Sequence, residues 1–237
     1  MPKSKIPQSL LLADREANAQ VSRRRFLGYA GAATGLMAVA SSCKKEDMQS
    51  NNTTLEGVDL GSGDPGILNY AYALEQLEAA FYIKAIESQF SGITANETSL
   101  LTDIRDHEIA HREFFKNALK DGAIVDLEVD FSSIDFGSRD SVLGTAKAFE
   151  DLGVSAYNGA GRLIVTPAYL VLAGKIVSVE ARHAALIREL IAAGTFADET
   201  AVDMVTGLDG AKKPADVLAI AQKYIKTTIN ASNLPTY

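Results

Sequence analysis

Two glutamate–histidine pairs with the same spacing are the residues of this sequence best suited to metal chemistry. Glu108 precedes His111 by three positions, and Glu180 precedes His183 by the same interval. Residues three apart share a face of an α-helix, so each pair would present a carboxylate beside an imidazole. Such oxygen and nitrogen ligands suit iron or manganese, and zinc would also bind. One pair alone is commonly a solvated surface feature, but two pairs on different helices indicate a metal site.

Two more glutamates occupy positions where apolar residues are expected. Glu75 and Glu150 each lie in a helical stripe that is otherwise apolar, and the glutamates of the two Glu-x-x-His pairs lie in similar stripes. Glu113 fails this test because Asp106 lies seven positions before it on the same face. No Lys or Arg lies on the four stripes, and unpaired buried charges are very costly. Four buried carboxylates therefore call for cations, and two divalent ions would balance their charge.

Five predicted helices would position these residues. Asp64 is the predicted N-cap residue of the first helix, and Pro65 follows it at the first helical position. Thr94 and Glu97 form a capping-box pattern before the second, and Gly194 ends the fourth. The predicted helices run roughly over residues 65–89, 95–120, 139–164, 167–193 and 214–229. Two helical hairpins joined by a long crossover make an all-α four-helix bundle, followed by a short C-terminal helix.

Residues 122–138 form the predicted crossover between the two hairpins. This segment alternates loosely between apolar and polar residues and contains Phe131, Ile134 and Phe136. The alternation is typical of a β-strand, but the rest of the chain offers no strand to pair with it. We therefore expect an irregular connection that its apolar side chains attach to the bundle.

Four stretches of the chain resemble the ferritin-like di-iron carboxylate superfamily, which includes bacterioferritin, rubrerythrin and manganese catalase. Within that superfamily, the resemblance points to the exported ferritin-like domain proteins of bacteria. It spans roughly residues 67–194, and its specific part is the pair of Glu-x-x-His motifs. The stretches are LEQLEAAFY (74–82), DHEIAHREF (106–114), FEDLGVSAY (149–157) and VEARHAAL (179–186).

The resemblance implies a cofactor, a function and a ligand set. The implied cofactor is two divalent metal ions, with iron preferred and manganese as the alternative. The implied function is redox chemistry with oxygen or peroxide, as a ferroxidase, a peroxidase or a catalase-like enzyme. The alternative is a non-catalytic metal-binding or envelope stress-related protein, in which the metals stabilise the bundle. By position, the terminal metal ligands would be Glu75 and Glu150, the bridging ligands Glu108 and Glu180, and the ligands of one metal each His111 and His183.

Three further residues are candidates to act beside the metals. Tyr82 and Tyr157 each follow the buried glutamate of their own helix by seven positions. Each tyrosine could hydrogen-bond a ligand or pass an electron to the centre, or it could be an ordinary core residue. Glu78 also lies among apolar residues, so it is an alternative ligand or a neighbour of the ligands. The matched tyrosine spacing favours Glu75 over Glu78 as the ligand of the first helix.

His107 and Asp106 come directly before the first Glu-x-x-His pair. Neither has the spacing of a ligand, so both are expected at the surface or just outside the metal ligands. Asp106 is the candidate to hold the far nitrogen of a ligating histidine, since carboxylates often do so.

The first 42 residues resemble a twin-arginine export signal that ends in a lipoprotein processing site. Residues 22–27 read SRRRFL, a mildly apolar stretch follows, and ASSC ends at Cys43. We expect residues 1–42 to be removed, residues 43–64 to form a flexible tether and residues 65–237 to form the bundle domain. The alternative for Cys43 is a buried structural residue. An exported protein lipid-anchored in the periplasm or cell envelope would yield an acylated Cys43 in mass spectrometry of the membrane fraction.

The composition excludes several other classes of protein. The formal net charge is -7, from 23 Lys and Arg against 30 Asp and Glu. So acidic a balance argues against nucleic acid as a partner. A single cysteine excludes an intrachain disulfide framework. The expected partners are metal ions, oxygen or peroxide, the membrane only through a lipidated Cys43, and a second copy of the chain in a candidate homodimer.

Overall fold

The computed structural model describes residues 57–237. The predicted signal, the lipidation site Cys43 and the greater part of the predicted tether lie outside the described residues, and those predictions stay predictions. Within the described part of the chain, no helix is long and apolar enough to cross a membrane.

Four long helices make up most of the described chain. They are α1 (Gly63–Glu87), α2 (Ala95–Leu119), α3 (Arg139–Gly161) and α4 (Pro167–Ile191), and α5 (Pro214–Ala221) follows near the C-terminus. α1 packs along α2 and α3 along α4, and α1 also meets α3. This arrangement confirms the predicted all-α four-helix bundle with a short C-terminal helix. The core lies between the four helices because each turns its apolar face toward the others.

The start of α2 has the predicted capping box. The Glu97 amide donates to the Thr94 hydroxyl at 3.1 Å, and the Thr94 amide donates to the Glu97 carboxylate at 2.9 Å. Glu97 also accepts a hydrogen bond from Arg139 at the start of α3, at 2.7 Å. One carboxylate therefore caps α2 and links the two hairpins.

Asp64 has a different role from the predicted one. The helix α1 begins at Gly63 with Ser62 as its N-cap residue, so Asp64 lies in the first turn. Its carboxylate accepts hydrogen bonds from the amides of Val165 and Thr166, both at 2.8 Å. Those two residues directly precede α4, where backbone donors lack helical partners. Asp64 therefore ties the start of α1 to the start of α4.

Aromatic contacts hold the crossover against the bundle, as predicted. Phe81 of α1 is completely buried and packs against Phe131 and Phe136. The ring centroids lie 6.1 and 5.9 Å from that of Phe81. Ile134 between them is also buried. The apolar residues of the crossover thus cover one side of α1 and help to enclose the centre of the bundle.

The C-terminal helix is shorter than predicted. The helix α5 ends at Ala221, and a 3-10 turn over Gln222–Tyr224 follows it. Beyond the turn, Ile225 forms an isolated antiparallel bridge with Val129 of the crossover. The expectation that the chain offers nothing to pair with the crossover was therefore wrong at this position. Pairing between distant segments overrides the local helical pattern of residues 225–229.

Ordered structure begins before the predicted end of the tether. The strand β1 (Val58–Asp59) pairs in parallel with β2 (Ile229–Asn230). Leu60, directly after β1, is completely buried, and its amide donates to the Asn230 carbonyl at 3.0 Å. The surrounding sequence is polar and rich in glycine, and this composition predicts a flexible tether. Its structure comes from contact with the other end of the chain.

A glycine of α3 permits a close backbone contact. The amide of Lys212 donates to the carbonyl of Ser155 on α3 at 2.9 Å. One turn later, a Cβ atom on Gly159 would overlap the Lys212 carbonyl. Glycine at 159 therefore lets the segment before α5 lie directly on α3.

Candidate metal centre

One glutamate from each long helix meets at the centre of the bundle. Glu75 of α1, Glu108 of α2, Glu150 of α3 and Glu180 of α4 are all 0% exposed. Each is buried because the rest of its helical stripe is apolar and faces the other helices. The four glutamates picked out by their apolar neighbours are thus brought together.

The two histidines of the Glu-x-x-His pairs lie beside these glutamates and differ in exposure. The side chain of His183 is 5% exposed, and that of His111 is 13% exposed. Both follow a buried glutamate by three positions on their helices, which keeps their rings on the same inner face. The His111 side of the cluster is therefore the one nearer to solvent.

The cluster contains buried polar atoms that lack hydrogen-bond partners. Among the described residues, ten buried side-chain atoms have none, and eight of the ten belong to the six predicted ligands. Native proteins leave few such atoms because each costs free energy. Their concentration in one place is compatible with a site that could bind cations. The eight atoms are both oxygens of Glu108 and of Glu180, one oxygen each of Glu75 and Glu150, and Nδ1 of His111 and of His183.

These residues form two groups of four ligand atoms. In each group the atoms lie within 4.8 Å of one another, and each group contains three carboxylate oxygens and one imidazole nitrogen. Two glutamates belong to both groups, which is the arrangement of carboxylates that bridge two cations. The groups are Glu75, Glu108, Glu180 and His111, and Glu150, Glu108, Glu180 and His183.

The distances show that the two groups mirror each other. In the first, Nδ1 of His111 lies 2.8 Å from Glu180, and 3.4 and 3.6 Å from the glutamates of α1 and α2. In the second, Nδ1 of His183 lies 2.8 Å from Glu108, and 3.5 and 3.7 Å from the glutamates of α3 and α4. In both groups the shortest contact joins α2 to α4.

Two buried tyrosines hydrogen-bond Glu75 and Glu150, the two glutamates that each belong to one group only. The Tyr82 hydroxyl on α1 donates to Oε1 of Glu150 on α3, at 2.6 Å. The Tyr157 hydroxyl on α3 donates to Oε1 of Glu75 on α1 through a short hydrogen bond. Each tyrosine therefore contacts the glutamate of the other hairpin and not the one on its own helix. This contact orients the second oxygen of each carboxylate into its group.

Glu78 lies next to the cluster but contributes to neither group. It is 3% exposed, and its carboxylate fits against α3 where Gly153 has no side chain. A Cβ atom on Gly153 would lie 2.9 Å from Oε1 of Glu78. Burial raises the pKa of Glu78 well above its usual range, and the charges of the neighbouring glutamates add to the effect. Burial therefore favours the protonated form of Glu78, and α1 supplies the cluster through Glu75.

The fold and the cluster can be compared with known proteins. The family model for the ferritin-like domain matches residues 63–193. The chain belongs to the ferritin-like domain family. The match runs from the start of α1 to just beyond the end of α4, so it includes all six clustered residues. A comparison with curated proteins gives no match.

Two glutamates and a histidine at the centre of this ferritin-like domain hold protons strongly, and one glutamate releases its proton readily. Burial raises the pKa of Glu75 well above its usual range and that of Glu150 to about 8. Burial would lower the pKa of His183, but its contacts with three glutamates outweigh burial and raise it to about 12. Burial would raise the pKa of Glu108, but its contacts with the two imidazoles lower it to about 2. A metal ion that binds here must therefore displace protons.

The third histidine of the domain also contacts the cluster. Nδ1 of His107 lies 2.9 Å from Nε2 of His183, and the two rings are parallel to within 9°. The sequence pointed instead to Asp106, but this residue is 59% exposed and pairs with Arg105 at 2.8 Å. His107 and His183 lie on different helices, so spacing along one helix carries no signal of their contact.

Glu113 shows that the stripe test distinguishes glutamates within one helix. Its side chain is 47% exposed and pairs with Arg112 at 2.8 Å. Glu108, five residues earlier on α2, is completely buried. The two residues are therefore a matched pair for experiments, with the same side chain in opposite surroundings.

Proposed function

We propose that the six clustered residues bind two divalent metal ions, iron or manganese, and that this centre performs redox chemistry with oxygen or peroxide. The observation that carries the proposal is the set of eight buried ligand atoms that make no hydrogen bond and face one another in two groups that share Glu108 and Glu180. Three carboxylate oxygens and one imidazole nitrogen in each group suit iron and manganese. The ferritin-like fold supports the same conclusion.

The charges of the residues fit two divalent ions. Glu75 and His111 would hold one ion and Glu150 and His183 the other, with the two shared glutamates between them. The negative charge of four carboxylates equals the positive charge of two divalent cations, so the ions would take the place of the protons that the metal-free cluster holds.

The surroundings of the site suit redox chemistry. When bound, two ions able to pass from the +2 to the +3 state would supply the two electrons that, with two protons, reduce hydrogen peroxide to two waters. The hydroxyls of Tyr82 and Tyr157 hold the outer carboxylates in position. Glu78 is buried against Gly153 next to the cluster and burial raises its pKa, so it is the residue that we assign as a proton source.

A non-catalytic role is the second candidate, and the enclosure of the cluster favours it. All four glutamates are 0% exposed, and His183 is nearly so. A centre so enclosed would bind its ions as a structural element, and their binding free energy would stabilise the bundle. The two functions share the metal site and differ in whether oxygen or peroxide can reach the bound ions.

Metal content followed by oxidant consumption tests the proposal. The full-length protein purified from cells supplied with iron and manganese should contain two ions per chain by elemental analysis. After anaerobic loading with Fe(II), it should consume added oxygen or hydrogen peroxide in proportion to the bound metal. A protein that binds no metal would show the proposal to be wrong. Two bound ions with no consumption of either oxidant would leave the structural role.

Loss of one tyrosine hydroxyl is expected to weaken one ion more than the other. In Tyr82→Phe, Oε1 of Glu150 stays buried without its donor, which carries a free-energy penalty. We expect affinity for the ion held by Glu150 to fall by about 10–100-fold, with both ions still able to bind. Anaerobic titration with Fe(II) measures both steps.

Tyr72→Phe is the matched control for that titration. Tyr72 is another completely buried tyrosine of α1, and its hydroxyl lies 3.5 Å from Asp126, away from the cluster. Both binding steps should stay unchanged in this variant. An equal loss in Tyr72→Phe and Tyr82→Phe would assign the effect to general loosening of the helix.

A further inference from the structure

His107 is an exposed residue of α2 with a contact that reaches across the bundle. Its Nδ1 atom lies 2.9 Å from Nε2 of His183 on α4, within hydrogen-bond distance. The two rings are nearly parallel, with their centroids 5.2 Å apart. The opposite nitrogen of His183, Nδ1, lies 2.8 Å from Glu108 inside the second group of ligand atoms. His183 therefore joins the cluster on one side of its ring and His107 on the other.

The chemistry of imidazole determines what this contact does. A histidine binds a metal through a nitrogen that carries no proton, so a metal on Nδ1 of His183 leaves the ring proton on Nε2. Nε2 then donates a hydrogen bond, and Nδ1 of His107 is in place to accept it. A partner on the far nitrogen of a ligating histidine selects its tautomer and fixes the orientation of its ring.

The corresponding residue in the other hairpin cannot accept a hydrogen bond from a ligating histidine. His107 lies four residues before His111 on α2, and Val179 lies four residues before His183 on α4. A valine side chain has no atom that accepts a hydrogen bond. The six ligands are arranged almost symmetrically, but the residue four positions before the ligating histidine is a histidine on α2 and a valine on α4.

We propose that His107 is a positioning residue that holds His183 in the tautomer able to bind metal, and that it thereby makes the two metal positions unequal. The position with His183 is then the tighter one, and the position with the more exposed His111 is the weaker one. This inference rests on the proposed metal centre, and it names a residue outside the six ligands that sets the order in which the ions bind.

Titration of the full-length protein with Co(II) tests the inference, because the visible absorption of bound Co(II) reports each step. The wild type should show a tighter and a weaker step. We expect His107→Ala to weaken the tighter step by about 10–100-fold and to leave the other step unchanged. His107→Asn should restore the tighter step, because its side-chain oxygen occupies the place of Nδ1 and accepts the same hydrogen bond. A general loss of packing would not be rescued in this way.

Combined variants assign the affected step to one position. In a His111→Ala background, His107→Ala should retain its full effect on the remaining tight step. In a His183→Ala background it should have none, because its partner is missing. Asp106→Ala, at the neighbouring exposed position of α2, should leave both steps unchanged.

The outcomes separate this inference from the proposed function. Two binding steps in the wild type that His107→Ala leaves unchanged, or weakens equally, would overturn the role of His107 and leave the metal centre in place. Failure of His107→Asn to restore the tighter step would also overturn it. A wild type that binds no Co(II) would remove the proposed centre and the inference with it.

Discussion

Replacing Glu108 with alanine is expected to abolish binding of both metal ions. Its two oxygens belong to different groups of ligand atoms, so one substitution removes a ligand from each. Glu180→Ala should have the same effect for the same reason. A lost ligand should reduce affinity by more than the roughly 10–100-fold expected for residues that only support ligands. Elemental analysis after gel filtration would show less than one ion per chain in either variant.

The histidine variants should behave differently from the shared glutamates. His111 and His183 each belong to one group only, so His111→Ala and His183→Ala should each lose mainly one ion. Stoichiometries near one ion per chain are the expected result. Loss of both ions from either histidine variant would mean that the two positions fill only together.

Glu113→Ala is the control for the glutamate experiment. Glu113 is on the same helix as Glu108, but it is half exposed and pairs with Arg112 at the surface. Its removal should leave two ions bound and change the free energy of unfolding by no more than about 0.5 kcal/mol. Equal metal loss in Glu113→Ala and Glu108→Ala would contradict the assignment of the inner face of α2. Retention of one ion in Glu108→Ala would contradict the bridging role.

Removing metal is expected to lower the melting temperature strongly, and more strongly at high pH. Binding of one ion at a hundredfold excess over its dissociation constant stabilises a fold by about 2.7 kcal/mol. Two ions should therefore raise the melting temperature of a domain of this size by on the order of 10–20 °C. Calorimetry with and without a chelator measures the difference.

The pH dependence follows from the protons that the cluster holds. Burial raises the pKa of Glu150 to about 8, and the pKa of Glu75 is raised as well, so the folded metal-free chain keeps protons that the unfolded chain releases above about pH 5. His183, with a pKa raised to about 12, adds a proton that the unfolded chain releases near pH 6.5. The unfolded chain binds fewer protons, so the stability of the metal-free fold falls as the pH rises from 5 to 8.

Metal binding has the opposite dependence on pH. The ions must displace those protons, so their affinity rises as the pH rises. The gap in melting temperature between the loaded and the metal-free protein should therefore widen from pH 5 to pH 8. A gap that is constant over this range, or an unchanged melting temperature after chelation at pH 8, would contradict the occupation of the cluster by metal.

The glutamates show which features of the structure can be predicted from helical periodicity. Glu108 and Glu113 are distinguished by their neighbours on one face of one helix, and the structure buries the first and exposes the second. Periodicity is a local property, so the positions of the long helices and the inner face of each follow from it. The capping box of Thr94 and Glu97 was also predictable, because it joins residues three apart.

Contacts between helices required the tertiary structure. Tyr82 and Tyr157 have the spacing of residues that could support a ligand, but each bonds the glutamate of the other hairpin. Asp64 has the sequence of a cap for its own helix, but it satisfies the backbone before α4. In each case the partner is distant along the chain, so the choice depends on how the hairpins pack.

The amino-acid sequence by itself determined the four long helices and the six residues at their centre, because apolar periodicity and the Glu-x-x-His spacing both operate within single helices. Only the tertiary structure decided that Glu78 packs against Gly153 outside both groups of ligand atoms, and that His107 rather than Asp106 contacts His183. It also decided that β1 pairs with β2 and that Leu60, directly after β1, is buried. These choices depend on distances between residues far apart in the chain, which packing sets and local spacing does not encode.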